Sequence, residues 1–341
     1  MRIITFFTGG TIGSRVKGAV VDTAEEATPI LLREYSRRYP NHGIDFQTQT
    51  ICSILSENMT PVICKQIYDA LSPLRRADCD GIILTHGTDT LAYTAAFLSM
   101  VLCAVDVPIL LVSANAPLED RSTNGFDNFI AAVDFIRTAG TQGVYVPFSA
   151  NGAIQIHLGY RIQQAQAFTH TFQSLGGAPY GFIENHTFVR NNHPHTSTPA
   201  SSAHPPKTPL PCCPVDTNIV FIPSYPGLNY EIYHFSAPPA AILLGLYHSG
   251  TACAAPLREA YSVTAFARKC LAHGIPVFAA PYDSRNKLYA SAKEMQEAGI
   301  RFLCDMSLEA AYVKLYIAYG SFDTAAERQR FLENDLACRD F

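Results

Sequence analysis

No stretch of the 341-residue sequence approaches the roughly 20 consecutive apolar residues that a bilayer-spanning helix needs; the longest, around Ile242-Leu243-Leu244-Gly245-Leu246-Tyr247, stops early. A membrane role is therefore disfavoured. Charge is also scarce: 16% of the residues are Asp, Glu, Lys or Arg and the formal net charge is −4, so no basic field exists for nucleic acid. The ten cysteines include no C-x-x-C pair, and apart from the adjacent Cys212-Cys213 they stand singly, Cys103, Cys253, Cys270 and Cys304 among them. Scattered cysteines of this kind read as buried, reduced thiols. The segment Met1-Arg2-Ile3-Ile4-Thr5-Phe6-Phe7 meets Gly9-Gly10 before any small-residue cleavage site, so it reads as a first strand rather than a signal peptide, and a cytoplasmic location is expected.

What is present is a large apolar fraction, 48%, in a chain long enough for two domains and a sizeable core. Strand-like and helix-like patterns alternate along the first half, as in parallel βαβ units. The first strand spans Ile3 to Thr8. Thr28-Pro29 and Thr60-Pro61 each look like a helix cap followed by proline at the first helical position. After the second of these, Ile63, Ile67, Ala70, Leu71 and Leu74 are spaced for one buried helical face. Gly81-Ile82-Ile83-Leu84-Thr85 is an apolar strand, and the pattern turns helical through Leu91, Ala95, Leu98 and Leu102. A strand from Pro108 to Val112 follows, and a loop holding Asn124-Gly125 leads to a helix ending near Gly140.

From about Asn185 to Asp216 the composition shifts to Pro, Thr, Ser, Asn and His without hydrophobic period, which marks a linker. His193, His195 and His204 precede Cys212-Cys213 there, but zinc-ligand spacing is lacking, and a solvated linker is the better reading. Beyond it, Asn218 to Pro223, Ala241 to Tyr247 and Pro276 to Ala280 read as buried strands, with a helix ending at His273-Gly274. Ser307 caps a final long helix. The expected fold class is α/β: a larger N-terminal doubly wound, mostly parallel sheet domain over 1–189, a linker over 190–216, and a smaller flavodoxin-like α/β domain over 217–341.

In open α/β sheets the ligand crevice lies beyond the carboxyl ends of the strands, and two loops there stand out. Thr8-Gly9-Gly10-Thr11-Ile12-Gly13 combines glycines, which let backbone N–H groups approach a ligand, with the Thr11 hydroxyl. The spacing fits neither the dinucleotide fingerprint nor the P-loop, so a Rossmann-type oxidoreductase is a distant alternative. By itself the loop is equally well a glycine turn with a solvated threonine. His86-Gly87-Thr88-Asp89-Thr90 puts a hydroxyl and a carboxylate where strand becomes helix. Ordinary capping accounts for one of those residues but not for both loops together. If the two strands are neighbours, Thr11 and Thr88 face one crevice, with Asp89 placed to bind an amino group. Such a crevice suits amide acyl transfer, in which a hydroxyl nucleophile needs a base and an oxyanion needs donors.

At these residues the sequence resembles the bacterial-type L-asparaginase family, most closely its cytoplasmic type I members and the related amidotransferase subunit that releases ammonia from asparagine. The resemblance extends over nearly the whole chain. Ser56-Glu57-Asn58-Met59-Thr60-Pro61 is similar to the family's substrate-binding segment, Ala114 and Asp120-Arg121-Ser122-Thr123-Asn124-Gly125 to the next loop, and Tyr247-His248-Ser249-Gly250-Thr251-Ala252 to a loop of the C-terminal domain. The resemblance implies Thr11 as the acyl-accepting nucleophile, Thr88 as the second catalytic threonine and Asp89 as partner of the substrate ammonium. It also implies Gly10, Ser56, Glu57 and Ala114 as substrate-binding residues, with Ser56 on the substrate carboxylate. No metal or organic cofactor is implied. The expected partner is a small amide or amino acid, and a homo-oligomer, dimer or tetramer, is expected by resemblance alone.

Two positions depart from the family pattern. Arg161-Ile162-Gln163-Gln164-Ala165 matches its Arg-x-x-Lys-Ala segment and puts Gln164 where the family has a lysine, a residue counted here with the catalytic set. The family's lid tyrosine, about ten residues past the nucleophile, is also missing; this region reads Gly18-Ala19-Val20-Val21-Asp22, and the nearest tyrosine downstream is Tyr35. Loss of a general base typically removes about 10²–10⁴-fold in rate. The sequence therefore predicts an asparaginase-like amidohydrolase of reduced or altered activity, with a catalytically impaired amino-acid-binding or regulatory protein of the same fold as the alternative.

Overall fold

A computed structural model describes residues 1–10, 12, 14–17, 20–23, 27–40, 43–192, 214, 216–285 and 287–333. The described residues divide into two compact units, 1–192 and 214–333. In the first unit β1 (Arg2–Gly9) is followed by a ribbon of β2 (Ser14–Lys17) and β3 (Val20–Thr23), then α1 (Ala27–Arg38), β4 (Asp45–Ile54), α2 (Pro61–Leu71) and β5 (Gly81–Thr85). Next come α3 (Leu91–Val101), β6 (Pro108–Val112), α4 (Gly125–Thr138), β7 (Gly143–Ala150) and β8 (Ala153–Leu158). The short pair β9 (Ile162–Gln163) and β10 (Gln173–Ser174) precedes a hairpin of β11 (Gly181–Glu184) and β12 (Thr187–Arg190).

Eight of these strands form one sheet in the order β12-β11-β8-β7-β6-β5-β1-β4. From β7 to β4 all neighbours are parallel, and β8, β11 and β12 extend the sheet as an antiparallel edge. Counted along the chain, the parallel strands stand in the order 5-4-3-1-2, the flavodoxin-type winding, whose reversal of direction lies between β1 and β5. That reversal opens a crevice, because the connections leaving the two strands run to opposite faces. β5 and β6 are buried at every residue, as continuous apolar strands covered on both faces must be. The ring of Tyr35, on α1, lies edge-on to Phe46 and to Phe129 of α4 in the core beneath these helices.

Two boundaries differ from the expectation. Thr60 is the extended residue before α2 and Pro61 its first residue, as read, although the Thr60 side chain makes no capping bond. α1, by contrast, begins at Ala27, so Thr28 lies inside the helix rather than at its cap. Residues 187–190, which composition assigns to the linker from Asn185, pair with β11 instead. Asn185 and His186, both at positive φ, make the hairpin turn. The remainder of the linker, with its histidines and Cys212-Cys213, lies almost wholly outside the described residues.

The second unit holds β13 (Ile219–Pro223), β14 (Ala241–Gly245), α5 (Val263–Ala272), β15 (Val277–Tyr282), α6 (Ala290–Glu297), β16 (Arg301–Cys304), α7 (Leu308–Ser321) and α8 (Ala325–Glu333). Its four strands are parallel and stand in chain order, so this sheet has no reversal point. Ser262 and Ser307 cap α5 and α7 by accepting from the backbone N–H three residues on, each at 3.2 Å. The helix read as final, α7, is followed by α8. Among the described residues no helix is long and apolar enough to cross a membrane.

Candidate active site

Side-chain bonds take over where the β1–β5 ladder ends. Pairing stops at Phe6 and Leu84, and beyond it the Thr8 hydroxyl donates to the Thr85 carbonyl at 2.6 Å while the Thr8 N–H donates to the Thr85 hydroxyl at 3.3 Å. The strand ends are thus held together without further pairing. Gly9 and Gly10, at φ of +94° and +78°, turn the chain away from the sheet, and the Gly10 N–H donates to the Ile54 carbonyl at 2.8 Å.

The glycines are dictated by contact as well as by φ. A Cβ on Gly10 would lie 2.3 Å from the Gly87 nitrogen, and one on Gly87 would lie 2.4 Å from the Ser56 hydroxyl oxygen. The loops after β1, β4 and β5 therefore touch at close range. Ser56, buried in a single helical turn after β4, accepts from the Asp89 N–H at 3.2 Å and donates to Asp89 Oδ2 at 3.5 Å. The Thr90 hydroxyl donates to the Ser56 carbonyl at 2.8 Å, pinning that turn to the start of α3. Gly10, Ser56, Thr88 and Asp89 thus belong to one set of nested loops. Thr88 is half-buried, and its hydroxyl makes no hydrogen bond among the described residues. Thr11 and Gly13 lie outside the described residues.

Gln164, directly after β9, donates from Nε2 to the backbone carbonyl of Asp89 at 3.2 Å. The position matched to the family lysine is therefore adjacent to Asp89. Tyr35 is no substitute for a lid tyrosine: it is buried in the core, where desolvation pushes its phenol up to about 12. Glu57 is exposed beside Ser56, whereas Ala114 is fully buried in the core.

The Ala114 loop is held by neutral amides. Asn115 and Asn124 bond reciprocally, each side-chain oxygen accepting from the other's backbone N–H, at 2.9 and 3.0 Å. Asn124 Nδ2 donates to the Ser149 carbonyl at 2.8 Å, and the fully buried Asn128 bridges the Ser113 carbonyl and the Ser149 N–H. Sequence reasoning misses this framework, as it misses His86. That ring is fully buried, and because Nδ1 lies 2.8 Å from the Gly87 carbonyl, Nδ1 carries the proton. Burial pushes the pKa of the ring down to about 4, so the imidazole is neutral at pH 7. Its Nε2 has no partner among the described residues.

Glycine-rich loops that meet at the reversal point of a flavodoxin-type sheet, Asp89 among them, stand where open α/β sheets place their ligand crevice. The chain belongs to the asparaginase family: the model for the asparaginase N-terminal domain matches residues 2–195. It is 27% identical to a glutamyl-tRNA(Gln) amidotransferase subunit of Methanobrevibacter smithii over 97% of this chain and 74% of that one. To the L-asparaginase of Thermococcus kodakarensis it is 26% identical, over 99% of this chain and 98% of that one. The solved structure of a thermostable L-asparaginase from the same organism superposes with a TM-score of 0.79 at 24% identity, over 100% of this chain and 99% of the other. L-asparaginase I from Vibrio cholerae superposes at 0.74, with 21% identity, over 98% and 97%.

Proposed function

We propose that the chain is an amidohydrolase that converts L-asparagine or a related small amide to the acid and ammonia through a Thr11 ester. The Thr11 hydroxyl oxygen attacks the carboxamide carbon, the C–N bond breaks, and the hydroxyl proton leaves with the amine as ammonia. Water then cleaves the ester and restores the hydroxyl. Asp89 holds the substrate ammonium, Ser56 its carboxylate, and Thr88 the reacting side. The observation that carries this reading is the direct contact of Ser56 with Asp89 beside Gly10. Those groups are the minimum needed to grip both charges of an amino acid while its side chain points at a third loop. The chemistry takes place in a homo-oligomer, in the cytoplasm; the seven cysteines among the described residues form no disulfide, as suits a reducing compartment.

The test is ammonia release from asparagine, glutamine and simple ω-amides by the wild type and by Thr11→Ala. Activity that survives the substitution would rule out Thr11 as nucleophile. A second expected result concerns binding: Asp89→Asn should weaken amino-acid affinity about tenfold or more, because a neutral amide loses the charge-assisted bond. Calorimetry finding equal affinities would reduce Asp89 to a structural role.

Gln164 favours the second reading, an amino-acid-binding protein that does not turn its ligand over. A glutamine donates to the Asp89 carbonyl but takes up no proton. Under the leading reading, Gln164→Lys should raise asparagine turnover, by up to about 10²-fold if general-base function is restored. The gain is expected to be partial, since groups acting as one unit do not add. A folded Gln164→Lys chain with no gain on any amide, together with a wild type indifferent to Thr11→Ala, would establish the binding protein instead.

A further inference from the structure

The second unit contains a cavity of about 370 Å³ that the chemistry proposed for the first unit does not use. It lies between α5 and the segment just before β14, at the end of α5 where His273 closes the helix. Its walls are aromatic: Tyr230 stacks on Phe266 at 4.7 Å between ring centroids, and Tyr233 lies 5.9 Å from the same ring. Its polar lining includes Lys269, His234 and His273, and among the described residues no carboxylate lines it.

Lys269 is exposed where it lines the cavity. Cations in the last turn of a helix commonly serve the free carbonyls there, but in α5 those carbonyls are already taken. His273 Nδ1 bonds the Lys269 carbonyl at 2.8 Å, the N–H groups of His273 and Ile275 both donate to the Cys270 carbonyl, and the Gly274 N–H donates to that of Leu271. Lys269 makes no ion pair among the described residues, and the hydroxyl of Tyr230, a residue only 5% exposed, makes no hydrogen bond among them. A solvated ammonium beside an aromatic wall narrows the ligand's character. A cation would be repelled by Lys269. A neutral ring would meet the walls alone, whereas a planar ring carrying one anionic group would meet the walls and pair with the lysine.

We propose that this cavity binds a small aromatic carboxylate, its ring against Tyr230, Tyr233 and Phe266 and its carboxylate on Lys269. The lining residues all come from the second unit, and the test does not require the chain to hydrolyse anything. The chain contains no tryptophan, so the emission of an indole ligand reports that ligand alone. Titrating the full chain into indole-3-acetate is expected to give a saturable change with a Kd below about 1 mM. Indole-3-ethanol, which keeps the ring and lacks the charge, should bind about tenfold more weakly or worse, and tryptamine should not bind. Lys269→Met, an exposed position, should cost about tenfold in affinity for indole-3-acetate and nothing for the alcohol. Tyr233→Ala should weaken both, and Asp89→Asn should change neither. The proposal is overturned if the folded wild type gives no saturable signal, if acid and alcohol bind alike, if Lys269→Met binds the acid undiminished, or if Asp89→Asn abolishes the signal.

Discussion

Replacing Gly10 with alanine is expected to lower ammonia release from asparagine by at least about 10²-fold, the scale on which ångström-level misplacement of reacting groups acts. The new Cβ would stand 2.3 Å from the Gly87 nitrogen and 2.6 Å from both the Gly87 Cα and the His86 carbonyl carbon. All three are backbone atoms, so no side chain can swing aside; the loop carrying Thr88 and Asp89 must move away from β1. Overpacking of this kind typically costs about 1–3 kcal/mol of stability, and a left-handed alanine about 1–2 more. Gly152 provides the control. It has the same φ, +78°, with nothing within 4 Å of the place a Cβ would take, so Gly152→Ala isolates the backbone cost. Thermal unfolding and ammonia release should therefore separate the two variants, and equal losses in both would mean that the loops do not touch as described.

The larger unit should also lose stability between about pH 6.5 and pH 4, above the range in which most carboxylates titrate. His86 and His157 are fully buried, and burial holds both pKa values down at about 4, from an unperturbed 6.5. The sign follows from proton uptake. In this window the unfolded chain binds protons that the folded chain refuses, so stability is full above pH 6.5 and falls as the pH falls toward 4. At about 1.4 kcal/mol per unit, the loss is on the order of 3 kcal/mol per ring, a large part of an ordinary domain's stability. Glu34 and Asp120, whose carboxyls are held low by hydrogen bonds, act in a lower window. His157→Asn can keep a bond to the Ser174 hydroxyl, which lies 2.8 Å from Nδ1, while removing the titration. Urea midpoints at pH 7.5 and 4.5 should then lie closer together than in the wild type; an unchanged separation would exclude the ring as a source of the effect.

The elements legible in the sequence are those whose burial is uniform or strictly periodic. β5, β6 and β14 are apolar runs covered on both faces, and α2 carries a proline at its first residue and one buried stripe through Ile67 and Leu71. β4 escapes notice because it is an edge strand: Asp45-Phe46-Gln47-Thr48-Gln49-Thr50 is largely exposed and has no apolar alternation, although it pairs with β1 along its length. The β11–β12 hairpin is hidden by its turn residues, Asn185 and His186, which read as the onset of a linker. In the site, the two glycine loops are visible by motif, and their adjacency follows from the strand order. The contact between Ser56 and Asp89 is reachable only through resemblance, since 33 residues separate them. The His86 tautomer and the asparagine framework depend on where carbonyls fall in space, which no local pattern encodes.

The asparagine framework bears on how the chain ages. Asn124 precedes Gly125, the pairing in which a side-chain amide is lost most readily, because an unhindered glycine nitrogen can close on the asparagine carbonyl carbon to form a cyclic imide. Here that nitrogen begins α4 and donates to the Thr123 hydroxyl at 3.2 Å, while both ends of the Asn124 amide are engaged. The folded loop thus withholds the nucleophile from its target. Once the first turn of α4 opens and the ring closes, hydrolysis leaves a carboxylate in place of the amide, and an oxygen then faces the Ser149 carbonyl where Nδ2 had donated at 2.8 Å. Two acceptors cannot bond, so the damaged loop cannot reseal. Chemical lifetime in storage is thereby tied to the rate at which one helical turn frays.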